Sequence, residues 1–142
     1  MTDSDYVMTE ETPPVEEFIA LRTAVGWGEL NRDALARGLS GSLMCVCVRH
    51  GGKLVGFGRV VGDGCFVFYI QDMIVHPDYE RRGLGRAVMS RIMGYIETAG
   101  GEDTYIGLMA TTGKAGFYEQ FGFMARPEDA PGMQLWLKNR RH

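Results

Sequence analysis

The residues best suited to chemistry form a short loop of arginines and glycines, residues 80–86 (ERRGLGR), between a predicted strand and a predicted helix. The first backbone N–H groups of a helix have no partner inside the helix and attract anions. Gly83 and Gly85 let a ligand approach that backbone closely. Positive charge comes from three arginines, Arg81, Arg82 and Arg86. The loop therefore predicts a phosphate or diphosphate site.

Two other nucleotide-binding loops compete for this stretch. The pattern G-x-x-x-x-G-K-[ST] is absent, and Val88 occupies the third small position of the dinucleotide pattern G-x-G-x-x-G. Asp103 follows Gly83 by twenty residues, but it precedes a predicted strand and does not end one. A nucleotide-binding module stays an alternative use of the loop.

Two short helices are predicted ahead of the strands. The first starts at Pro14 and ends near Gly26. Its apolar residues share one helical face, and Arg22 occupies the next position on that face. The second is opened by Asn31 as a capping residue. Trp27 is therefore expected in the loop between the two helices.

Three consecutive strands follow, predicted over residues 42–48, 53–61 and 65–75, where β-branched, aromatic and other apolar residues are concentrated. Glycine-containing turns separate the three strands. The order indicates an antiparallel meander. Because the third strand leads into the arginine and glycine loop, it positions the predicted anion site.

A long helix follows the loop, with an apolar stripe formed by Leu84, Val88, Ile92 and Ile96. A strand over residues 105–109, a second helix over 113–121 ended by Gly122, and a final strand around 133–137 complete the order. A helix that crosses between two strands favours parallel pairing. The chain is therefore expected to be an α/β protein with a mixed, mostly antiparallel sheet flanked by helices.

Size and charge limit the classes of function. The 142 residues predict a single domain over the whole chain, and the net charge of −3 gives no general basic surface for nucleic acid. The cysteines, Cys45, Cys47 and Cys65, are odd in number and make no metal-ligand set, which favours a reducing cytoplasm and no metal site. The acidic residues 1–14 are expected to be a solvated tail, with neither a signal peptide nor a membrane span.

Two segments resemble signatures of the GNAT superfamily of N-acetyltransferases. Residues 80–85 (ERRGLG) are similar to its motif [QR]-x-x-G-x-[GA], and residues 72–77 (DMIVHP) resemble the approach to that motif. Residues 113–123 (GKAGFYEQFGF) are similar to its second signature, F-Y-x-x-x-G-F. The order and spacing agree with the family over nearly the whole chain. Glu80 stands where glutamine or arginine is usual, and Thr111 where asparagine is common.

The resemblance implies an enzyme that uses acetyl-CoA to acetylate a primary amine of a small molecule or a peptide. It implies a sheet that parts beside the third strand, so that the pantetheine arm lies along the strand edge. A non-catalytic acyl-CoA sensor is the alternative, and a homodimer is compatible with the family. The residues implied to bind the cofactor are Met73, Ile74, Val75, Arg81, Arg82, Gly83, Leu84, Gly85, Arg86, Thr111, Lys114 and Phe117.

The resemblance also implies that Tyr118 is the general acid that protonates the leaving thiolate, because a phenol holds its proton at neutral pH. The alternative is a tyrosine that only packs between helix and sheet. Lys114, four residues earlier, is expected on the same helical face and near the cofactor phosphates, or else solvated.

Asp72 is a candidate general base, because an amine that arrives protonated must lose a proton before it attacks. Alternation along the strand places Asp72 on the face opposite Gln71 and Met73. Its alternative role is a hydrogen-bonded structural carboxylate. Tyr69, Glu80 and a bound water are comparable choices for the base.

Trp27, Arg59 and Tyr69 are the candidate substrate-binding residues. Trp27 lies between two glycines and is suited to line an amine site, or alternatively to cap the core beneath its loop. Arg59 is suited to bind a substrate carboxylate, or alternatively to pair with Asp63 or Asp72.

Overall fold

The strands of the protein form one sheet, as described by a computed structural model that covers residues 5–140. The strands are Tyr6–Thr9 (β1), Met44–His50 (β2), Lys53–Gly62 (β3), Val67–Val75 (β4) and Tyr105–Leu108 (β5). They follow one another across the sheet in chain order. The first four pair antiparallel, and β5 runs parallel to β4. The predicted meander, the parallel crossover and the mixed α/β class are confirmed.

The α-helices among residues 5–140 are Val15–Ala24 (α1), Arg32–Ser40 (α2), Leu84–Ala99 (α3) and Ala115–Glu119 (α4). Asn31 caps α2 as predicted, because its side-chain oxygen accepts the Ala34 N–H at 2.9 Å. The predicted stripe of α3 is confirmed, since all four of its members, Leu84, Val88, Ile92 and Ile96, are at most 1% exposed.

The helices cover the two faces of the sheet. On one face, α1 and α2 bury a core cluster that consists of Phe18, Leu21, Leu39, Cys45, Cys47, Leu54, Phe57 and Ile74. On the other face, α3 packs closely over Gly58. A Cβ atom at Gly58 would lie 2.8 Å from Val88 and 2.9 Å from Ile92, so this contact requires a glycine.

Two compact units divide the described chain, at the boundary between Leu108 and Met109. The first unit contains the sheet with α1, α2 and α3, and the second contains α4. A single domain over residues 1–142 stays a prediction. No helix within residues 5–140 is both long enough and apolar enough to cross a membrane.

The N-terminal segment contains a strand that the sequence analysis missed. The strand Tyr6–Thr9 pairs with the outer edge of β2, where a solvated tail was predicted. Its four residues are too few for a clear alternating pattern. The next acidic residues are also not simply solvated, because the Glu11 carboxylate forms an ion pair with Arg49 at 3.2 Å. Residues 1–4 of the predicted tail lie outside the described part of the chain.

The predicted strand around residues 133–137 is wrong. This segment is irregular up to a short 3₁₀ turn over Leu137–Arg140. Met133 is 85% exposed and Leu135 is 65% exposed. An alternating apolar pattern makes a strand only where a neighbouring strand supplies hydrogen bonds and a buried face.

The third predicted strand begins later than expected, at Val67 instead of Cys65. The Asp63 carboxylate accepts the backbone N–H groups of Cys65, Phe66 and Val67, at 2.9, 2.7 and 3.0 Å. Such side-chain acceptors compete with strand pairing and hold the chain in a turn. These bonds lower the pKa of Asp63 below its usual range, with the bond from Phe66 as the largest cause.

Candidate active site

A bulge in β4 is the central feature of the candidate site. Phe57 pairs with Ile74 and Arg59 pairs with Gln71, so two residues of β4, Asp72 and Met73, lie opposite Gly58 alone. Asp72 has a φ of 57°, the left-handed conformation that aspartate tolerates better than most residues. A bulge bends its strand and interrupts the hydrogen-bond ladder.

The sheet parts next to this bulge. Pairing between β4 and β5 ends at Ile70 and Leu108, while β4 continues to Val75. Among the described residues, the β5-side edge of β4 therefore has no strand partner from Gln71 onward. An edge with unpaired backbone groups can accept an extended chain that carries amides.

Asp72 is the centre of a buried ion-pair network. Its side chain is 3% exposed, and its carboxylate contacts Arg59 Nε at 2.8 Å and Arg22 Nη1 at 3.3 Å. Gln71 Nε2 lies 3.4 Å from the same carboxylate. Both carboxylate oxygens therefore have donors, an arrangement that favours a structural role for Asp72 over that of a general base. The pairing of Arg59 with Asp72 is one of its two predicted alternatives.

The bulge also changes the faces of β4 on which Gln71, Asp72 and Met73 lie. Met73 lies on the α3 face, because its sulfur is close to the space beside Gly58 that Val88 and Ile92 enclose. Asp72 lies on the opposite face, as predicted. Gln71 contacts Asp72 and so is not on the face opposite it, and that part of the prediction is wrong. The inserted residue shifts the alternation by one position.

Trp27 and Tyr69 lie near this network. The half-buried Trp27 ring packs against the core cluster, and the Arg22 guanidinium lies 5.1 Å from the ring centre. Burial, and to a smaller extent the charge of Asp72, raise the pKa of Tyr69. A phenol with a raised pKa keeps its proton at neutral pH, so this shift argues against Tyr69 as the base.

Arg22 is the residue of this network that the sequence analysis did not assign to the site. A signal for it exists, because Arg22 occupies the next position on the apolar face of α1. An arginine at a buried helical position indicates a buried partner. That partner, Asp72, is 50 residues away along the chain.

The predicted anion loop leads directly into α3. Arg81 has a φ of 63° and Gly83 a φ of 78°, and Gly83 supplies no side-chain cap to α3. The first intrahelical bond runs from the Ala87 N–H to the Gly83 carbonyl at 3.0 Å. The N–H groups of the first turn thus face outward from the loop, where they are suited to bind an anion.

Arg82 in this loop is held by aromatic residues that the sequence analysis did not connect to it. Its guanidinium donates to the Tyr6 hydroxyl at 3.0 Å and lies 5.3 Å from the centre of the Tyr79 ring. Tyr79 also contacts His50, with 3.1 Å between the hydroxyl and Nδ1. These contacts fix the direction of Arg82 while its side chain stays exposed.

The second unit contains Thr111, Lys114, Phe117 and Tyr118. The predicted helix is shorter than expected, and Lys114 precedes α4 with its N–H bonded to the Thr111 carbonyl at 3.0 Å. Lys114 is the N-cap residue of α4, with backbone angles in the right-handed helical region, and its shared face with Tyr118 stays a prediction. The Tyr118 ring lies 5.0 Å from the Phe117 ring, and burial raises the pKa of Tyr118.

Neither Cys47 nor the residues around one open cavity take part in this network. Cys47 is buried, and burial raises its thiol pKa to about 12, which makes it unreactive at neutral pH. No group of three or more metal-ligating side chains occurs within residues 5–140. An open cavity of about 350 Å³ contains none of the predicted site residues, and its lining is Glu17, Ala20, Leu21, Gly52, Lys53, Leu54 and His76.

Known proteins share this fold. Residues 40–125 match the family model of the acetyltransferase (GNAT) domain. The chain belongs to the GNAT superfamily of N-acetyltransferases, as its two signatures predicted.

Three similar proteins illustrate this relationship. A probable acetyltransferase of known structure from meticillin-resistant Staphylococcus aureus is 34% identical, with a TM-score of 0.87 over 92% of this chain and 98% of its own. A histone acetyltransferase from Glycine max is 30% identical over 95% of this chain and 69% of its own length. A chloroplastic serotonin N-acetyltransferase from Oryza sativa subsp. japonica is 36% identical over 63% of this chain and 44% of its own. Several curated relatives are matched over less than half of their length.

Proposed function

We propose that this chain transfers the acetyl group of acetyl-CoA to a primary amine, by direct attack of the neutral amine within a ternary complex. The observation that carries the proposal is the parted edge of β4, which runs from Gln71 to Val75 beyond the last pairing with β5. This edge ends close in sequence to the uncapped N-terminus of α3.

Two features of the first unit fit acetyl-CoA. An unpaired strand edge suits the amide-bearing pantetheine arm, and Met73, Ile74 and Val75 would hold it there. The first turn of α3 and the loop at residues 81–86 would hold the diphosphate. In the second unit we assign Thr111, Lys114 and Phe117 to the same ligand on the family resemblance alone.

Acetyl-CoA supplies an acetyl thioester, which is reactive toward amines. The backbone N–H of Met73 or Ile74 donates to the thioester carbonyl and stabilises the negative charge that develops on its oxygen. The Tyr118 hydroxyl donates a proton to the leaving thiolate, and its raised pKa keeps that proton available at neutral pH. Glu80 or a bound water accepts the proton of the amine, because Asp72 is already paired with two arginines.

The names of the relatives support an amine as the acceptor. The rice protein is named for serotonin and the soybean protein for histone, which are a small aromatic amine and a protein substrate. We therefore propose a small-molecule or peptide amine, with Trp27 lining the acceptor side of the bulge. Arg59 is paired with Asp72. We therefore propose that Arg59 holds Asp72 in place at the bulge and does not bind a substrate carboxylate.

Release of free thiol tests the proposal directly. Purified protein is mixed with acetyl-CoA and, in turn, tryptamine, spermidine and a lysine-containing peptide, and the liberated coenzyme A thiol is followed with a chromogenic disulfide. Thiol release that depends on both protein and amine supports the proposed function. Binding of acetyl-CoA without amine-dependent release identifies an acyl-CoA sensor. A melting temperature that ATP or NAD raises, and coenzyme A does not, identifies a nucleotide-binding module.

We also propose a cytoplasmic location, and a homodimer is compatible with the proposed function. The odd number of cysteines supports a reducing compartment. Cell fractionation tests the location, since recovery in an organelle, such as the chloroplast for which the rice relative is named, would contradict it. Sedimentation velocity of the purified chain tests the dimer.

A further inference from the structure

Arg22 connects three parts of the first unit through one guanidinium group. Its Nη1 lies 3.3 Å from Asp72 in the bulge of β4, and its Nη2 lies 3.5 Å from the carbonyl oxygen of Gly28. The guanidinium carbon lies 5.1 Å from the centre of the Trp27 ring. The side chains of Arg22 and Asp72 are 13% and 3% exposed, so the ion pair between them is shielded from water, while the contact with Gly28 lies at the surface.

The loop between α1 and α2, residues 25–31, has two kinds of anchor. Val25 and Trp27 pack against the core cluster, which fixes them by apolar contact. The backbone N–H groups of Gly26 and Trp27 bond back to carbonyls of α1, so these two bonds do not connect the loop to the sheet. The Arg22 side chain adds the polar connection from this loop to β4.

We infer that Arg22 is a positioning residue that holds the Trp27 loop at a fixed place relative to the β4 bulge. This inference rests on the proposed function, in which the bulge receives the thioester carbonyl and Trp27 lines the acceptor side. Correct placement of an amine relative to an acyl carbon contributes strongly to the rate of transfer. Arg22 therefore affects the use of the amine more than the binding of acetyl-CoA.

The chemistry of the guanidinium explains why an arginine is required. Its planar fork presents donors in two directions and can stack on an aromatic ring at the same time. A lysine carries one compact charge and cannot meet the Asp72 carboxylate, the Gly28 carbonyl and the Trp27 ring together. Arg59 makes a separate connection, from Asp72 to the Gly38 carbonyl and the Ser42 hydroxyl near the end of α2.

When Arg22 is replaced, the buried carboxylate of Asp72 still has Arg59 as a partner. Arg59 Nε lies 2.8 Å from the Asp72 carboxylate, so we expect the Arg22→Met variant to keep this charge paired. Methionine also keeps an unbranched apolar side chain at this position and removes the guanidinium that faces the Phe18 and Trp27 rings. The variant is therefore expected to fold and to loosen the loop selectively.

The test combines fluorescence and kinetics. The chain has two tryptophans, so a Trp136→Phe background leaves Trp27 as the single reporter. In this background we compare the unchanged protein with Arg22→Met, Arg22→Lys and the control Arg37→Met, in which an exposed arginine of α2 is replaced. The measurements are the acrylamide quenching constant of Trp27, kcat and KM for the best amine of the panel, and the affinity for acetyl-CoA.

Arg22→Met is expected to raise the quenching constant and to lower kcat/KM for the amine about tenfold, the loss typical of one hydrogen bond to a charged group. The affinity of Arg22→Met for acetyl-CoA is expected to stay unchanged. Arg22→Lys is expected to have a quenching constant and a kcat/KM between those of the parent and Arg22→Met, and Arg37→Met is expected to behave like the parent. Unchanged quenching and unchanged kcat/KM in a folded Arg22→Met protein would overturn the inference.

The two proposals fail in different ways. If Arg22→Met does not melt cooperatively, the Arg22→Lys variant provides the test. A Trp27 quenching constant in Arg22→Lys equal to that of the parent would overturn the positioning role. The quenching measurement needs no turnover. An inactive parent protein would therefore contradict the proposed function, while Trp27 still reports on Arg22.

Discussion

At the residue scale, Asp72 shows how one backbone conformation determines what a side chain can do. Its positive φ lies at the bulge, and the carboxylate points to Arg22 and Arg59 on the face opposite α3. A strand with regular alternation would not bring Gln71 and Asp72 together. The residue at the bulge is therefore stabilised by two ion pairs, an arrangement that favours a structural role over that of the proton acceptor.

The role of Tyr118 can be tested by removing only its hydroxyl. Tyr118→Phe is expected to lower kcat about a hundredfold, because general acid catalysis typically contributes at least that factor. Acetyl-CoA affinity is expected to stay unchanged, as measured by calorimetry. Tyr105→Phe, at a tyrosine that is 56% exposed in β5, is the control and should retain full activity. If kcat of Tyr118→Phe equals that of the parent, Tyr118 only packs.

Charge reversal at Arg82 tests the anion loop. Arg82→Glu is expected to weaken acetyl-CoA binding by at least about tenfold, since it replaces a favourable charge near the diphosphate with a repulsive one. Tyr6→Phe is the matched control, because it removes the hydroxyl that Arg82 contacts at 3.0 Å and leaves the charge in place. Calorimetry measures binding and thermal unfolding measures stability. Equal losses of binding in both variants would show that the loss comes from the Tyr6 contact and not from the charge.

At the element scale, the sheet depends on the close contact between β3 and α3. Gly58→Ala is expected to destabilise the protein by about 1–3 kcal/mol, because a Cβ atom would overlap Val88 and Ile92. Gly94→Ala in α3 is the opposite control, since nothing lies within 4 Å of its Cβ position. That change should stabilise the helix by up to about 1 kcal/mol. Denaturant unfolding measures the change in unfolding free energy of both variants. Changes of the same sign in Gly58→Ala and Gly94→Ala would contradict the packing described.

The turn before β4 predicts a dependence of stability on pH. The folded state lowers the pKa of Asp63, so its stabilising effect is complete above about pH 4 and is lost as the pH falls through the folded pKa. Asp63→Asn should therefore melt at a lower temperature than the parent at pH 7, with a smaller difference near pH 2. Asp129→Asn is the control at an exposed position. A difference that stays constant with pH would contradict this role of Asp63.

The same elements show how far the sequence can be interpreted. The stripe of α3 and the Asn31 cap were predictable because they are local patterns within a few residues. The bulge was not, because an alternating pattern contains no signal for one inserted residue. The ion pair of Arg22 with Asp72 joins residues 50 positions apart, which only the fold brings together. The predicted strand around residues 133–137 failed because strand formation depends on a partner that local sequence does not specify.

At the scale of the whole molecule, the charge distribution agrees with a local anion site. The net charge is −3, yet the approach to α3 contains Arg81, Arg82 and Arg86 within six residues. The parted edge of β4 leads toward this positive region along the same chain segment. The proposed extended ligand with an anionic end therefore fits the charge distribution of the first unit.

The most direct measurement is a crystal structure of the protein grown with acetyl-CoA. We expect the pantetheine arm to lie along β4 between Gln71 and Val75, hydrogen-bonded to its edge, and the diphosphate to contact the N–H groups at the start of α3. Acetyl-CoA seated in the cavity beside His76, or a β4 edge without ligand at saturating concentration, would contradict this expectation.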